Sequence, residues 1–254
     1  MSRFFIEKDN IYGDKIIITG EDYNHIKNVL RYKAGDNLVL CDGEKYDFTV
    51  TIDAFETNSV ITTILHKEEN KTEPLIDITL FQGIAKGEKM DFIIQKSVEL
   101  GVKNIVPVIT ERTVVQLKDD KDKTKKKERW QKIALEAAKQ CNRGIITGVD
   151  LPVKFNEALK NVNKFKLSMI PYEGEKNFTL RSVLSEFKEK VPDYKKVEIA
   201  IFIGPEGGFS EKEVEIGVKE GLIPVTLGPR ILRTETASLA VLSIIMYELG
   251  AMEY

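Results

Sequence analysis

The chain has 254 residues, 42% hydrophobic and 31% charged, with a formal net charge of −2. This is the balance of a globular protein with a sizeable core, and no apolar run reaches the roughly 20 residues of a membrane-spanning helix. Two cysteines, Cys41 and Cys141, and two histidines, His25 and His66, are too few and too scattered for a zinc cluster or a disulfide framework. Glu7 and Asp9 directly follow Phe4 and Phe5, unlike a secretion signal. The expectation is therefore a cytoplasmic protein with reduced thiols and no metal.

Residues 1–72 read as a small all-β module. Short alternating runs at 15–19, 37–41, 46–52 and 59–65 are separated by turn residues, with Asp42-Gly43 as a hairpin cue. A helical pattern at 22–32 places Ile26, Val29 and Leu30 on one face. The polar stretch 66–74, HKEENKTEP, reads as a linker. From residue 73 to 254 the texture changes to alternating strands and helices. Strands are expected at 75–81, 105–109, 165–170, 197–203 and 222–227. Such alternation, with nearly continuous apolar strands, predicts a mostly parallel sheet covered on both faces.

Helix 88–100 closes on Gly101. Helix 124–142 carries Trp130, Ile133, Ala134, Ala137, Ala138 and Cys141 as one apolar stripe, with Glu136, Gln140 and Arg143 as a polar stripe away from it. The lysine-rich stretch 118–132 reads by composition as a solvated loop and helix start. The final helix, 236–249, is apolar almost all round and must be buried on more than one side.

Two glycine-proline turns carry the chemistry. The first, GPEGGFS at 204–210, leaves an apolar strand and enters a helix through the Ser210/Glu213 capping box. A tight connection explains its glycines but not Glu206 in its mouth. The second, LGPRILRTETA at 227–237, offers apolar walls in Ile231 and Leu232, flanked by Arg230 and Arg233. Two strand ends of this kind suit one small-molecule pocket. The chain has no dinucleotide fingerprint, no phosphate loop and no nucleophile elbow. Its chemistry must run on positioning and electrostatics.

On these motifs the chain resembles the SPOUT class of methyltransferases, and more closely the RsmE family, which methylates N3 of a uridine in 16S ribosomal RNA with S-adenosylmethionine. The runs KGEKMDFIIQKSVELGV (86–102), NIVPVITERTVV (104–115) and RWQKIALEAAKQCNRG (129–144) match too. NHIKNVLRYKAGD (24–36) resembles that family's PUA-like RNA-binding module. The one departure is at His25-Ile26, where the family often has a second histidine or a leucine.

The resemblance implies an α/β fold: a SPOUT-like, trefoil-knotted, parallel-sheet methyltransferase domain (73–254) preceded by a small β-barrel PUA-like domain (1–72). It also implies a homodimer formed through the last helix. S-adenosylmethionine is expected against Met169, Ile170, Ile203, Gly204, Pro205, Gly207, Leu227, Gly228, Ile231, Leu232 and Arg233. Arg233, Glu206 and Arg3 are the expected catalytic residues, and Arg3, Arg31 and Arg112 the expected RNA contacts. A non-catalytic RNA-binding assembly factor, or a methyltransferase of the same class acting on tRNA, are the competing expectations.

Overall fold

The computed structural model describes residues 3–252 except 192 and 194. It divides into two compact units, one made of Met1–Glu73 with Ala138–Ile146, the other of Pro74–Ala137 with Thr147–Tyr254.

The first unit holds β1 (Arg3–Phe5), β2 (Ile11–Tyr12), β3 (Lys15–Thr19), β4 (Asn37–Cys41), β5 (Tyr46–Phe55) and β6 (Ser59–Glu69) in one sheet of order β1-β4-β5-β6-β3-β2. Only the β1–β4 pairing is parallel. Register shifts at Thr49/Val50 and Ile52/Ala54 bend the long β5–β6 pair. The sheet curls over one core of Phe4, Ile16, Ile18, Leu38, Leu40, Phe48, Val50, Ile52 and Val60, and the short helix α1 (Gly20–Asn24) adds Tyr23. A single π turn, His25–Val29, follows α1 and buries Ile26 in the same core.

The Asp42-Gly43 turn forms as its residues dictate. Gly43 takes φ +71°, and the Asp42 carboxylate accepts the N–H groups of Glu44, Lys45 and Tyr46 at 2.8–2.9 Å. Burial pushes that carboxyl up, but the three N–H donors outweigh it and hold its pKa below the usual range. The expected linker begins later than its polarity suggests. His66, Lys67, Glu68 and Glu69 extend β6 against Thr49 to Tyr46, where the Lys67 ammonium lies 4.0 Å from the Tyr46 ring centre. All four of these residues are exposed, so this end of the strand shows no apolar alternation to read.

The second unit is built on a seven-stranded, all-parallel sheet. Its strands are β7 (Asp77–Gly83), β8 (Asn104–Ile109), β9 (Gly148–Val149), β10 (Val153–Lys154), β11 (Leu167–Pro171), β12 (Glu198–Ile203) and β13 (Ile223–Val225). The order is β10-β8-β7-β12-β11-β13, with β9 also beside β8. Its helices are α2 (Glu88–Glu99), α3 (Asp120–Gln140, which ends in the first unit), α4 (Phe155–Leu159), α5 (Leu180–Lys190), α6 (Glu211–Lys219) and α7 (Thr234–Glu248). Phe81 and Phe202 on adjacent central strands stack with ring centres 4.2 Å apart, and Phe155 and Phe209 complete that aromatic cluster. α7 packs against α2, α5 and β12. It buries Val241, Leu242, Ile245 and Met246 and leaves Ile244 and Tyr247 exposed. Among the described residues no helix is long and apolar enough to cross a membrane.

Candidate active site

A cavity of about 590 Å³ opens in the second unit beyond the C-terminal ends of β11, β12 and β13. Open parallel sheets bind ligands at such strand ends, and this volume suits a ligand of nucleoside size. Three chain segments line it: 171–176 after β11, 203–209 after β12, and 226–232 after β13 with Thr234 and Ala237 of α7. Both glycine-proline turns therefore face one space.

The walls need glycine at particular points. A Cβ at Gly204 would sit 2.9 Å from the backbone of Gly208, and one at Gly83 would meet Pro205 at 2.5 Å. Gly228 needs no space but has φ +99°, a conformation that side chains disfavour. The 204–210 turn is strapped from outside. Arg112 donates through Nη1 to the Gly207 carbonyl at 2.8 Å, and the Lys86 N–H donates to Glu206 Oε1 at 3.0 Å. Ser210 caps α6, accepting from Glu213 N–H while the Glu213 carboxylate accepts from Ser210 N–H. Glu213 also accepts the Glu111 N–H at 2.8 Å, and the Ser210 hydroxyl donates to Glu111 at 2.8 Å.

Two cavity-lining carboxylates, Glu206 and Glu175, have lowered pKa values. Burial pushes Glu206 up, yet the backbone donors, Lys86 foremost, and the Lys89 ammonium at 3.5 Å bring its pKa below its ordinary value. Glu175 is lowered by N–H groups of Asn177, Phe178 and Lys176 that converge on its Oε1. Carboxylates stabilised in this way are weak bases.

The expected site residues fall into three groups. Ile203, Gly204, Pro205, Glu206, Gly207, Leu227, Gly228, Ile231 and Leu232 line the cavity together. Met169 and Ile170 lie fully buried within β11, and the residues of that segment which reach the cavity are Pro171 and Tyr172. Arg233 is exposed and stands between the lining residues Leu232 and Thr234, although its flanking sequence suggests a buried setting. It is also the N-cap of α7, so the helix starts at Thr234 itself. Arg3 belongs to the first unit, where it is buried and ion-paired with Asp47. Arg31, in the same unit, is exposed with φ +56°.

A further correction concerns the residues just after α3. Arg143 is no solvated polar residue: it is 4% exposed and pairs through Nη2 with Glu73 at 2.6 Å. In the lysine-rich stretch, Arg129 is ion-paired with Asp91 and Lys123 with Asp120 at 2.9 Å, while Lys118, Lys121, Lys125 and Lys132 are exposed.

The cavity segment not expected from sequence follows Ile170 and contributes Pro171, Tyr172, Glu173, Glu175 and Lys176. Their signal is Pro171 at the end of an apolar strand with Gly174 three residues on, a proline and a glycine that mark a turn. Among the described residues no group of three His, Cys, Asp or Glu could hold a metal ion.

A family model described as an RNA methyltransferase domain matches residues 71–246, and one described as an RNA methyltransferase PUA domain matches 18–65. The chain is 36% identical over 251 residues to the ribosomal RNA small subunit methyltransferase E of Bacillus subtilis, covering 98% of this chain and 97% of that protein. It is 31% identical to the protein of the same name from Aquifex aeolicus, covering 92% and 95%. Among solved structures, the ribosomal RNA small subunit methyltransferase E of Neisseria gonorrhoeae bound to S-adenosyl methionine superposes with a TM-score of 0.84 at 32% identity, covering 97% of each chain. A Legionella pneumophila protein solved with bound SAM gives 0.84 at 33%, covering 96% of each. With a methyltransferase model spanning most of its length and relatives above 30% identity along nearly all of it, the chain belongs to the ribosomal RNA small subunit methyltransferase E family.

Proposed function

We propose that this protein methylates N3 of a uridine in small-subunit ribosomal RNA, using S-adenosylmethionine held in the strand-end cavity. The observation that carries this reading is the convergence of two glycine-proline turns on one cavity of about 590 Å³.

The cavity fits the cofactor. Backbone N–H and C=O groups at Gly204, Gly207 and Gly228 suit the edges of a heterocycle, and Ile203, Leu227, Ile231 and Leu232 supply apolar faces. Pro205 presets the first turn, and Met169 and Ile170 stiffen the strand behind the third wall. The cofactor's sulfonium supplies an activated methyl group. The chain's task is then to orient the uracil, exclude water and stabilise charge.

Loss of the N3 proton leaves negative charge on the uracil, which needs a cation nearby. Arg233 fits best: it is exposed, lies between two lining residues, and has no ion pair among the described residues. Glu206 suits an anchoring role better than a base, because its carboxylate is already committed to Lys86 and Lys89. Arg112 ties down the turn and Arg3 is committed to Asp47, so Arg31 and the exposed lysines of α3 are the better RNA contacts.

The same reading carries a trefoil knot in the domain 73–254, a PUA-like RNA-binding domain in 1–72, and a cytoplasmic location. It also carries a homodimer, supported by exposed Ile244 and Tyr247 on a helix whose other face is buried.

The test supplies labelled S-adenosylmethionine and unmethylated small ribosomal subunits, then maps the modified base. Label on a uridine N3 of the small-subunit RNA is expected. Label in tRNA alone would overturn the substrate, and cofactor binding without label in any RNA would make this a binding protein. Arg233→Ala should lower kcat at least 100-fold, as loss of a donor to developing charge does, with cofactor affinity largely kept. Equal losses in both would assign Arg233 to the cofactor.

A further inference from the structure

Behind the cavity wall lies a polar chain that the sequence motifs do not announce. Gln82, in the centre of β7, and Ser238, in α7, are both 0% exposed, and Thr234 is 5% exposed. The Ser238 hydroxyl reaches Gln82 Oε1 at 2.7 Å. Gln82 Nε2 donates to Thr234 Oγ1 at 3.0 Å and to the Gly83 carbonyl at 2.9 Å. The Thr234 hydroxyl donates to the Gly204 carbonyl at 2.6 Å.

The donors can run only one way. The Gly83 carbonyl is solely an acceptor, so the Gln82 nitrogen must face it, which turns Oε1 toward Ser238. Thr234 Oγ1, taking a proton from Gln82, is left with its own proton for Gly204. Each link polarises the next, and the Ser238 proton is shared between Gln82 Oε1 and the Thr234 carbonyl four residues back in α7, 2.8 Å away.

We propose that Gln82 and Ser238 are positioning residues for the cofactor: through Thr234 they hold the Gly204 carbonyl against the first turn of α7, fixing the two cavity-lining segments to each other. Gly204 and Thr234 both line that cavity, on the two segments that the glycine-proline turns contribute. Gln82 and Ser238 do not line it and act only through Thr234. The proposal rests on the cofactor reading of the cavity.

The test uses the full chain. S-adenosylmethionine affinity is measured by calorimetry, with melting temperature and amide hydrogen exchange over 204–210 and 226–238 followed without cofactor. Thr234→Val and Gln82→Leu should each weaken binding at least tenfold. The double variant should lose no more than the worse single, because both cut one chain. Thr234→Ser, which keeps the hydroxyl, should stay within threefold of wild type. Ile245→Val, in the same helix but outside the chain of hydrogen bonds, should lower the melting temperature without changing affinity. If Gln82→Leu fails to fold, Ser238→Ala removes the outer link and the Ser238 bond to the Thr234 carbonyl, leaves the Gln82–Thr234–Gly204 links in place, and should still weaken binding about threefold.

Faster exchange of both segments in the Val and Leu variants is expected without cofactor. Unchanged exchange, or affinity within twofold of wild type in folded variants, overturns the proposal. A wild-type chain with no affinity for S-adenosylmethionine overturns the cofactor reading instead, and the exchange data still decide whether the hydrogen-bond chain holds the wall.

Discussion

Glu206 shows how a residue's partners decide its chemistry. An acid in the mouth of a glycine turn invites assignment as a base, but a base needs a pKa near the working pH. Here Lys86 N–H and Lys89 lower it, so the carboxylate is ionised and weakly basic at neutral pH. Its folded pKa lies below the unfolded value near 4.5. Its stabilising contribution is therefore fully present above that value and lost as pH falls through the depressed one. Glu206→Gln keeps an acceptor for the Lys86 N–H, so methyl transfer at pH 7 should stay within about fivefold, the scale of one exposed charge interaction. Cofactor affinity of the wild type should drop below pH 4.5 more steeply than that of the Gln variant. Comparing pH profiles of the two checks this, and a Gln variant dead at pH 7 would restore the base assignment.

At the scale of elements, the site was legible where local rules and tertiary structure agree. The Ser210/Glu213 capping box predicts the start of α6, and the structure forms it with both reciprocal bonds. Gly221, at φ +104°, follows that helix as expected. Other elements gave weaker signals. α5 carries Leu180, Val183, Leu184 and Phe187 as a buried stripe, but Ser182 replaces the acid of the usual capping box, so its start is quiet. β9 and β10 have two residues each, too few to show a period. The all-round apolarity of α7 says that it is buried but not which side is covered. The Gln82 chain was illegible because its members, 152 and 156 residues apart, meet only after the sheet and α7 pack. Ser210 tests the local rule. Losing its cap and its bond to Glu111 in Ser210→Ala should cost about 1–2 kcal/mol. For a chain of this size that lowers Tm by about 2–8 °C, and a calorimetric shift under about 1 °C would show that the cap contributes little.

The whole molecule divides at Glu73/Pro74, but the first unit also takes a segment from later in the chain. Residues 138–146 are the end of a helix that belongs mostly to the second unit and the segment after it, yet they complete the first. Glu73 explains why they stay there: its carboxylate pairs with Arg143 Nη2 at 2.6 Å and accepts the N–H groups of Gly144 and Ile145 at 2.8 and 3.1 Å. Nearby, Thr72 donates to the Asn142 carbonyl at 2.9 Å, and Lys139 pairs with Asp22 at 2.9 Å. Gly144 sits so close to Asn70 that a Cβ would approach its side chain to 2.4 Å. Breaking a buried ion pair from one side leaves an uncompensated charge and costs about 3–5 kcal/mol. The pair here is buried on the arginine side and only 20% exposed at Glu73, so Arg143→Met should cost about 3 kcal/mol in urea unfolding. Glu73→Leu should cost more, because it strands two backbone donors besides removing the ion pair. For the same reason Arg143→Met/Glu73→Leu should not recover the loss, as a simple ion pair replaced by apolar residues often does. A double variant as stable as wild type would mean that the pair alone, and not the stitched segment, holds 138–146 in the first unit.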